Sequence, residues 1–239
     1  MKIELTQTPL LSPQQIGELA SSLDAIHTRV LKVLERLQKD VDSKKTEVAN
    51  RWKTAGLSPQ DHARYAERET AAVVREIQHN ATDELNRFYK EAGPVHAKLT
   101  AQRPYYDTPV KVLSRAGLGT SQRTAYLQQL VYAGPGELGH MAQVAVGTKN
   151  VALAAAVLSL LDSRPTKERP TSAAALAAAM QLEEYSKVQE YFKIGEARLQ
   201  AIVLAIRSWM NGKANPINTL SLALRNRDVD FSVLVGGDE

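Results

Sequence analysis

Apolar residues near the amino terminus fall at Ile16, Leu19, Leu23, Ile26, Val30, Val33 and Leu37, stepping three and four in strict alternation. This heptad spacing predicts a long helix with a narrow apolar seam, and such a seam is buried against another helix. Toward the other end, Tyr185, Val188, Phe192, Gly195, Leu199, Ile202, Ile206 and Trp209 repeat the alternation. Trp52 and Trp209 close the two stripes, each as an expected plug in a core or interface. A third, coarser stripe runs through Ala66, Val73, Ile77, Ala81, Leu85, Phe88 and Ala92 on one helical face.

The helix ends are written in the sequence as well. Leu11-Ser12-Pro13-Gln14 and Leu57-Ser58-Pro59-Gln60 each offer a serine to cap free amides and a proline suited to the first helical position. Gln15 and Asp61 stand three residues after the serines, the spacing of a capping box and of an acidic variant of it. Gly56 and Gly93-Pro94 read as stops. The expected helices are therefore 13–54 and 59–92, the first about 60 Å long at 1.5 Å per residue. A link as short as Gly56-Leu57-Ser58 favours an antiparallel hairpin.

Residues 94–136 are cut by Pro104, Pro109, Gly117, Gly119, Gly134 and Pro135 into short helices expected at 109–116 and 121–133. Two more are expected at 136–146 and 149–162, followed by a polar, proline-bounded loop at 163–170. A long helix over 172–211 then opens on an alanine-rich run. The last stretch reads two ways, because Ile217, Leu220 and Leu224 have helical spacing while Leu220, Leu222 and Leu224 alternate. Val229, Phe231, Val233 and Val235 alternate more clearly, which predicts a strand at 229–235. It is paired with 219–224 or added to the sheet edge of a neighbour.

Composition changes this picture little. The chain has 239 residues, 44% hydrophobic and 23% charged, with aromatics at only 5%. These values suit alanine-rich helix packing better than a β-sandwich. With no cysteine, a disulfide scaffold, a thiol nucleophile and Cys-ligated metal sites are excluded. No signal-peptide core is expected in the first fifteen residues. The apolar run at 151–161 is too short for a bilayer and reads as a buried helix.

The net charge of +4 is unevenly placed. Residues 94–136 carry Lys98, Arg103, Lys111, Arg115 and Arg123 against Asp107 alone. Tyr105 and Tyr106 lie among them, and basic side chains with tyrosines are the combination that holds single-stranded nucleic acid. The alternative is that the tyrosines anchor a loop while the charges are solvated.

Glu-x-x-His occurs twice, as Glu76/His79 and Glu137/His140. Di-iron bundles use two such pairs with two further glutamates. Here one pair sits in a glycine-rich helix entrance, and Ile77 and Ala81 claim the buried side of the other helix. Solvated side chains are therefore expected, with no metal and no cofactor. No nucleophile elbow or phosphate loop is present.

The expected fold is mainly α: an elongated multi-helix bundle with a long N-terminal antiparallel hairpin (1–93), a helical core with a second long helix (94–213) and a small C-terminal β element (214–239). The expected role is structural and non-enzymatic, with further copies of the chain and other protein subunits as partners. In composition the chain resembles bacteriophage virion components such as scaffolding, connector-associated and ejected internal proteins. That likeness implies a cytoplasmic or virion location. A nucleic-acid partner through 94–136 is the alternative, a metal-dependent bundle enzyme the third reading, and a membrane partner is not expected.

Overall fold

A computed structural model describes residues 9–55 and 58–211 of the chain. They form helices α1 (Pro13–Lys53), α2 (Pro59–Thr100), α3 (Arg103–Tyr106), α4 (Pro109–Arg115), α5 (Ser121–Leu130), α6 (Pro135–Gly147), α7 (Val151–Asp162), α8 (Ala173–Ala179) and α9 (Glu183–Met210). A short 3-10 turn, Thr166–Glu168, lies in the expected loop. The protein is thus mainly α, with no strand among the described residues. The expected strand at 229–235 and its partner at 219–224 lie outside them. The described residues divide into two compact units, one of 9–17 with 100–192 and the other of 18–55 and 58–99 with 193–211.

The second unit is built on the hairpin. Three ion pairs fix its register: Arg29–Glu91, Arg36–Glu84 at 2.6 Å and Arg51–Glu69 at 2.5 Å. Seven residues forward along α1, from Arg29 to Arg36, move the partner seven back along α2, and fifteen more move it fifteen back. The two helices are therefore antiparallel and unslipped over this length. Near the turn, Trp52 stacks on Tyr65 with ring centroids 5.1 Å apart and donates its indole N–H to Glu69 Oε2 at 2.6 Å.

Both expected caps form. Ser12 Oγ accepts from the Gln15 amide while Gln15 Oε1 accepts from the Ser12 amide, a reciprocal box. Ser58 Oγ accepts from the Asp61 amide and donates to its carboxylate.

Two expected boundaries are corrected. The stop at Gly93-Pro94 is absent, because α2 runs through Pro94 to Thr100. A proline inside a helix removes a backbone bond and costs about 3 kcal/mol. Ala92 and Leu99, seven residues apart on one stripe and on either side of Pro94, are both buried, and that packing outweighs the local penalty. The single helix expected over 172–211 is instead two, α8 and α9. Between them Gln181 takes a left-handed φ of 49°, and its turn lets Met180 and Leu182 both be buried. Glu183 and Glu184 then open α9, where acidic side chains suit the positive end of the helix dipole.

The first unit is organised around α7, which packs against α4, α5, α6 and α8. Leu153, Ala154, Ala155, Ala156, Val157, Leu158 and Leu161 are all buried. A helix apolar on nearly every side belongs in the middle of a core. Among the described residues no helix is long and apolar enough to cross a membrane.

Candidate functional site

The seam of α1 is buried along a stripe slightly rotated from the one its sequence suggests. Ile16, Leu23, Ile26, Val30 and Leu37 are buried, whereas Leu19 and Val33 are only half-buried. Their followers Ala20 and Leu34 are buried instead, as is His27 beside Ile26, so the innermost line runs 16, 20, 23, 27, 30, 34, 37 and 41. On α9, Val188, Phe192, Ile202, Ile206 and Trp209 are buried and Leu199 is half-buried, with Ile194, Ala197, Ala201 and Ala205 broadening the stripe. Gly195 supplies a close approach: a Cβ there would stand 2.1 Å from Leu99 Cδ2 and 3.3 Å from Leu23 Cδ1.

The rotation places a polar group in the seam of the second unit. His27 is 3% exposed, and its Nε2 has no hydrogen-bond partner among the described residues. One turn away, Arg198 Nε of α9 lies 2.5 Å from Asp24 Oδ1. Burial, reinforced by the Arg198 charge and opposed by Asp24, pulls the His27 pKa down to about 4. The sequence carried one signal of this site, a histidine four residues after Leu23 and three before Val30.

From residue 100 onward the basic region belongs to the first unit, with Lys98 in the second, and much of the part in the first unit is engaged in holding that unit together. Arg123 is buried and donates to the Ser114 and Ala116 carbonyls (2.8 and 2.7 Å) and to Ser159 Oγ (2.9 Å), tying the end of α4 to α7. Burial lowers its pKa. Arg115 donates to the Tyr105 carbonyl at 2.6 Å and lies over the Tyr106 ring. Arg103 lies over the ring of Phe192. Lys111 donates to the Pro104 carbonyl and to Asp107, both at 2.9 Å. Tyr106 is buried, its hydroxyl donating to the Leu11 carbonyl at 2.8 Å, and burial raises its pKa. Tyr105 is half-buried. Gln102, also buried, completes a clamp on residues 9–11 by donating to the Pro9 carbonyl and accepting from the Leu11 amide. No periodicity announces that clamp.

Glu76 and His79 are exposed on α2, and Glu137 and His140 are exposed on α6. No group of three or more His, Asp or Glu suited to a metal occurs among the described residues. The strand-addition residues Val229, Phe231, Val233 and Val235 lie outside those residues.

Two cavities open in the first unit. One, of about 570 Å³, lies between α6 and α8 and is lined chiefly by small or apolar groups, including Ala142, Val146, Pro170 and Leu176. The other, of about 300 Å³, is lined by Val112, Val151, Met180 and Leu182 together with Lys149, Gln181, Glu183 and Glu184. Lys149 (φ 52°) and Gln181 are the only non-glycine residues with positive φ among those described, and both line it. Tyr132 stands 95% exposed just after α5, next to the exposed Val131.

No family model, curated protein or solved structure matches this chain.

Proposed function

We propose that this chain is a non-enzymatic structural subunit that forms a homo-oligomer or docks onto a larger particle, as bacteriophage virion components do. The observation that carries the reading is the α1–α2 hairpin. Two helices of 41 and 42 residues, each roughly 60 Å long, are held in one antiparallel register by cross-helix ion pairs. Such a rod sets distances and presents long faces, which is the work of an assembly element. The exposed Tyr132–Val131 pair and the apolar groove between α6 and α8 add surfaces suited to protein contact.

The chemistry-bearing groups support the same reading. His27, Arg123, Tyr106 and the Asp24–Arg198 pair serve the packing of their own units and do not converge on a cleft. The nucleic-acid alternative has less behind it, because Arg115, Arg123 and Lys111 direct donors to carbonyls of the fold.

Light scattering behind size exclusion, at low and high salt, tests the proposal. A discrete multimer is expected. The mass of a single chain at both salts and at high protein concentration would overturn self-assembly.

A further inference from the structure

In the first unit a projecting leucine stands beside an open cavity. Gly117 and Gly119, with φ of 65° and 77°, take left-handed backbone in which a side chain would be strained, and Leu118 between them is 64% exposed. A Cβ on Gly117 would stand 3.9 Å from that of Ala152, so this turn sits at the start of α7. The cavity of about 300 Å³ lies at the same corner of the unit, lined by Ala116 just before the turn and by Val151 just before Ala152. Val112, Met180 and Leu182 line it and are buried, while Val151 is 37% exposed. Leu118 is not part of the lining in its own chain.

The lining also carries both signs of charge. Lys149 stands between α6 and α7, and Glu183 and Glu184 open α9, all three exposed. Among the described residues none of them has an ion-pair partner, so these opposite charges do not neutralise one another within the unit.

We propose, resting on the homo-oligomer reading above, that this corner is the contact between two copies of the chain related by a two-fold axis. Leu118 of each copy enters the cavity of the other, and Lys149 of each faces the acidic pair that opens α9 of the other. A two-fold contact pairs a surface with itself, so that surface must hold a projection and a recess, and charges of both signs. This corner holds all four. A different partner would need only the complement of each, so the presence of both members favours a second copy. Each feature is used twice across the axis. The leucines and the apolar lining supply the affinity by leaving water, and the exposed charges set the orientation.

Light scattering over a concentration series of the full chain tests the contact. Leu118→Gln should weaken self-association about tenfold and leave the melting temperature unchanged, because the side chain is exposed within the single chain. Lys149→Glu and the double variant Glu183→Lys/Glu184→Lys should each weaken association when alone. An equimolar mixture of those two should restore it, because like charges opposed in each pure dimer become opposite charges in the mixed one.

Parent-like association by folded Leu118→Gln, with the parent a multimer, would overturn this contact and leave the assembly reading standing. So would charge variants that associate as the parent does, or a mixture no more associated than its components. A parent that stays a single chain at every concentration would instead overturn self-assembly itself, and this contact with it.

Discussion

Leu99 of α2 occupies the space that a side chain on residue 195 of α9 would need, its Cδ2 lying 2.1 Å from where the Cβ would stand. Leu99 cannot simply swing away, since it is 1% exposed and Leu23 closes the same space at 3.3 Å from that Cβ. A glycine in a helix interior ordinarily costs about 1 kcal/mol relative to alanine, so its presence here is a packing requirement.

Gly195→Ala should therefore destabilise the protein by about 1–3 kcal/mol despite the gain in helix propensity. In a double-mutant cycle by urea unfolding, Leu99→Ala should cost less in the Gly195→Ala background than alone. Simple additivity would show that the two residues do not compete for the same space.

The rotated seam of α1 makes a second prediction. Leu34 is fully buried and Val33 half-buried. Leu34→Ala should cost about 2–5 kcal/mol, and Val33→Ala clearly less. Equal losses in chemical denaturation would restore the stripe as the sequence alone suggests it.

His27 makes the stability depend on pH. Its folded pKa is about 4 against an ordinary 6.5, so the unfolded chain takes up a proton in that window and the folded chain does not. Its contribution is complete above about pH 6.5 and is lost as pH falls toward 4, to a total of about 3 kcal/mol. Unfolding midpoints at pH 7 and pH 4.5 should therefore separate further in the parent than in His27→Leu. The same separation in both would exclude His27 as the cause. Asp24 and Arg198, the charged groups acting on this site, are present in both proteins.

Arg123 closes the first unit through donors that only a guanidinium can aim in three directions. Arg123→Met should lower stability by about 2–4 kcal/mol, because the Ser114 and Ala116 carbonyls lose their charged donor. Arg123→Lys should recover less than half of that loss. Full recovery by lysine, read from thermal melts, would reduce the role of Arg123 to its charge.

Surface ion pairs fix the hairpin's register without contributing much energy. Arg36 and Glu84 are 56% and 39% exposed, so Arg36→Ala should cost under about 1 kcal/mol. A loss above about 2 kcal/mol in chemical denaturation would show that the pair is a principal source of hairpin stability.

Much of the fold can be read from the sequence. The heptad steps from Ile16 to Leu37 and the Ser12-Gln15 and Ser58-Asp61 caps are local chemistry, and they determined where α1 and α2 begin and that they are long. The apolar run at 151–161 likewise determined a buried helix, since that stretch offers no polar face to water. Tertiary structure decided the rest. Pro94 stays within α2 because Ala92 and Leu99 are both buried, and Gln181 turns left-handed because Met180 and Leu182 are. His27 falls in the buried line because α9, distant in sequence, presents Arg198 and Gly195 to that part of the unit. Local propensities are worth a few tenths to one kcal/mol per residue and set where helices start. Burial of whole side chains is worth more, and it depends on neighbours that sequence spacing does not reveal.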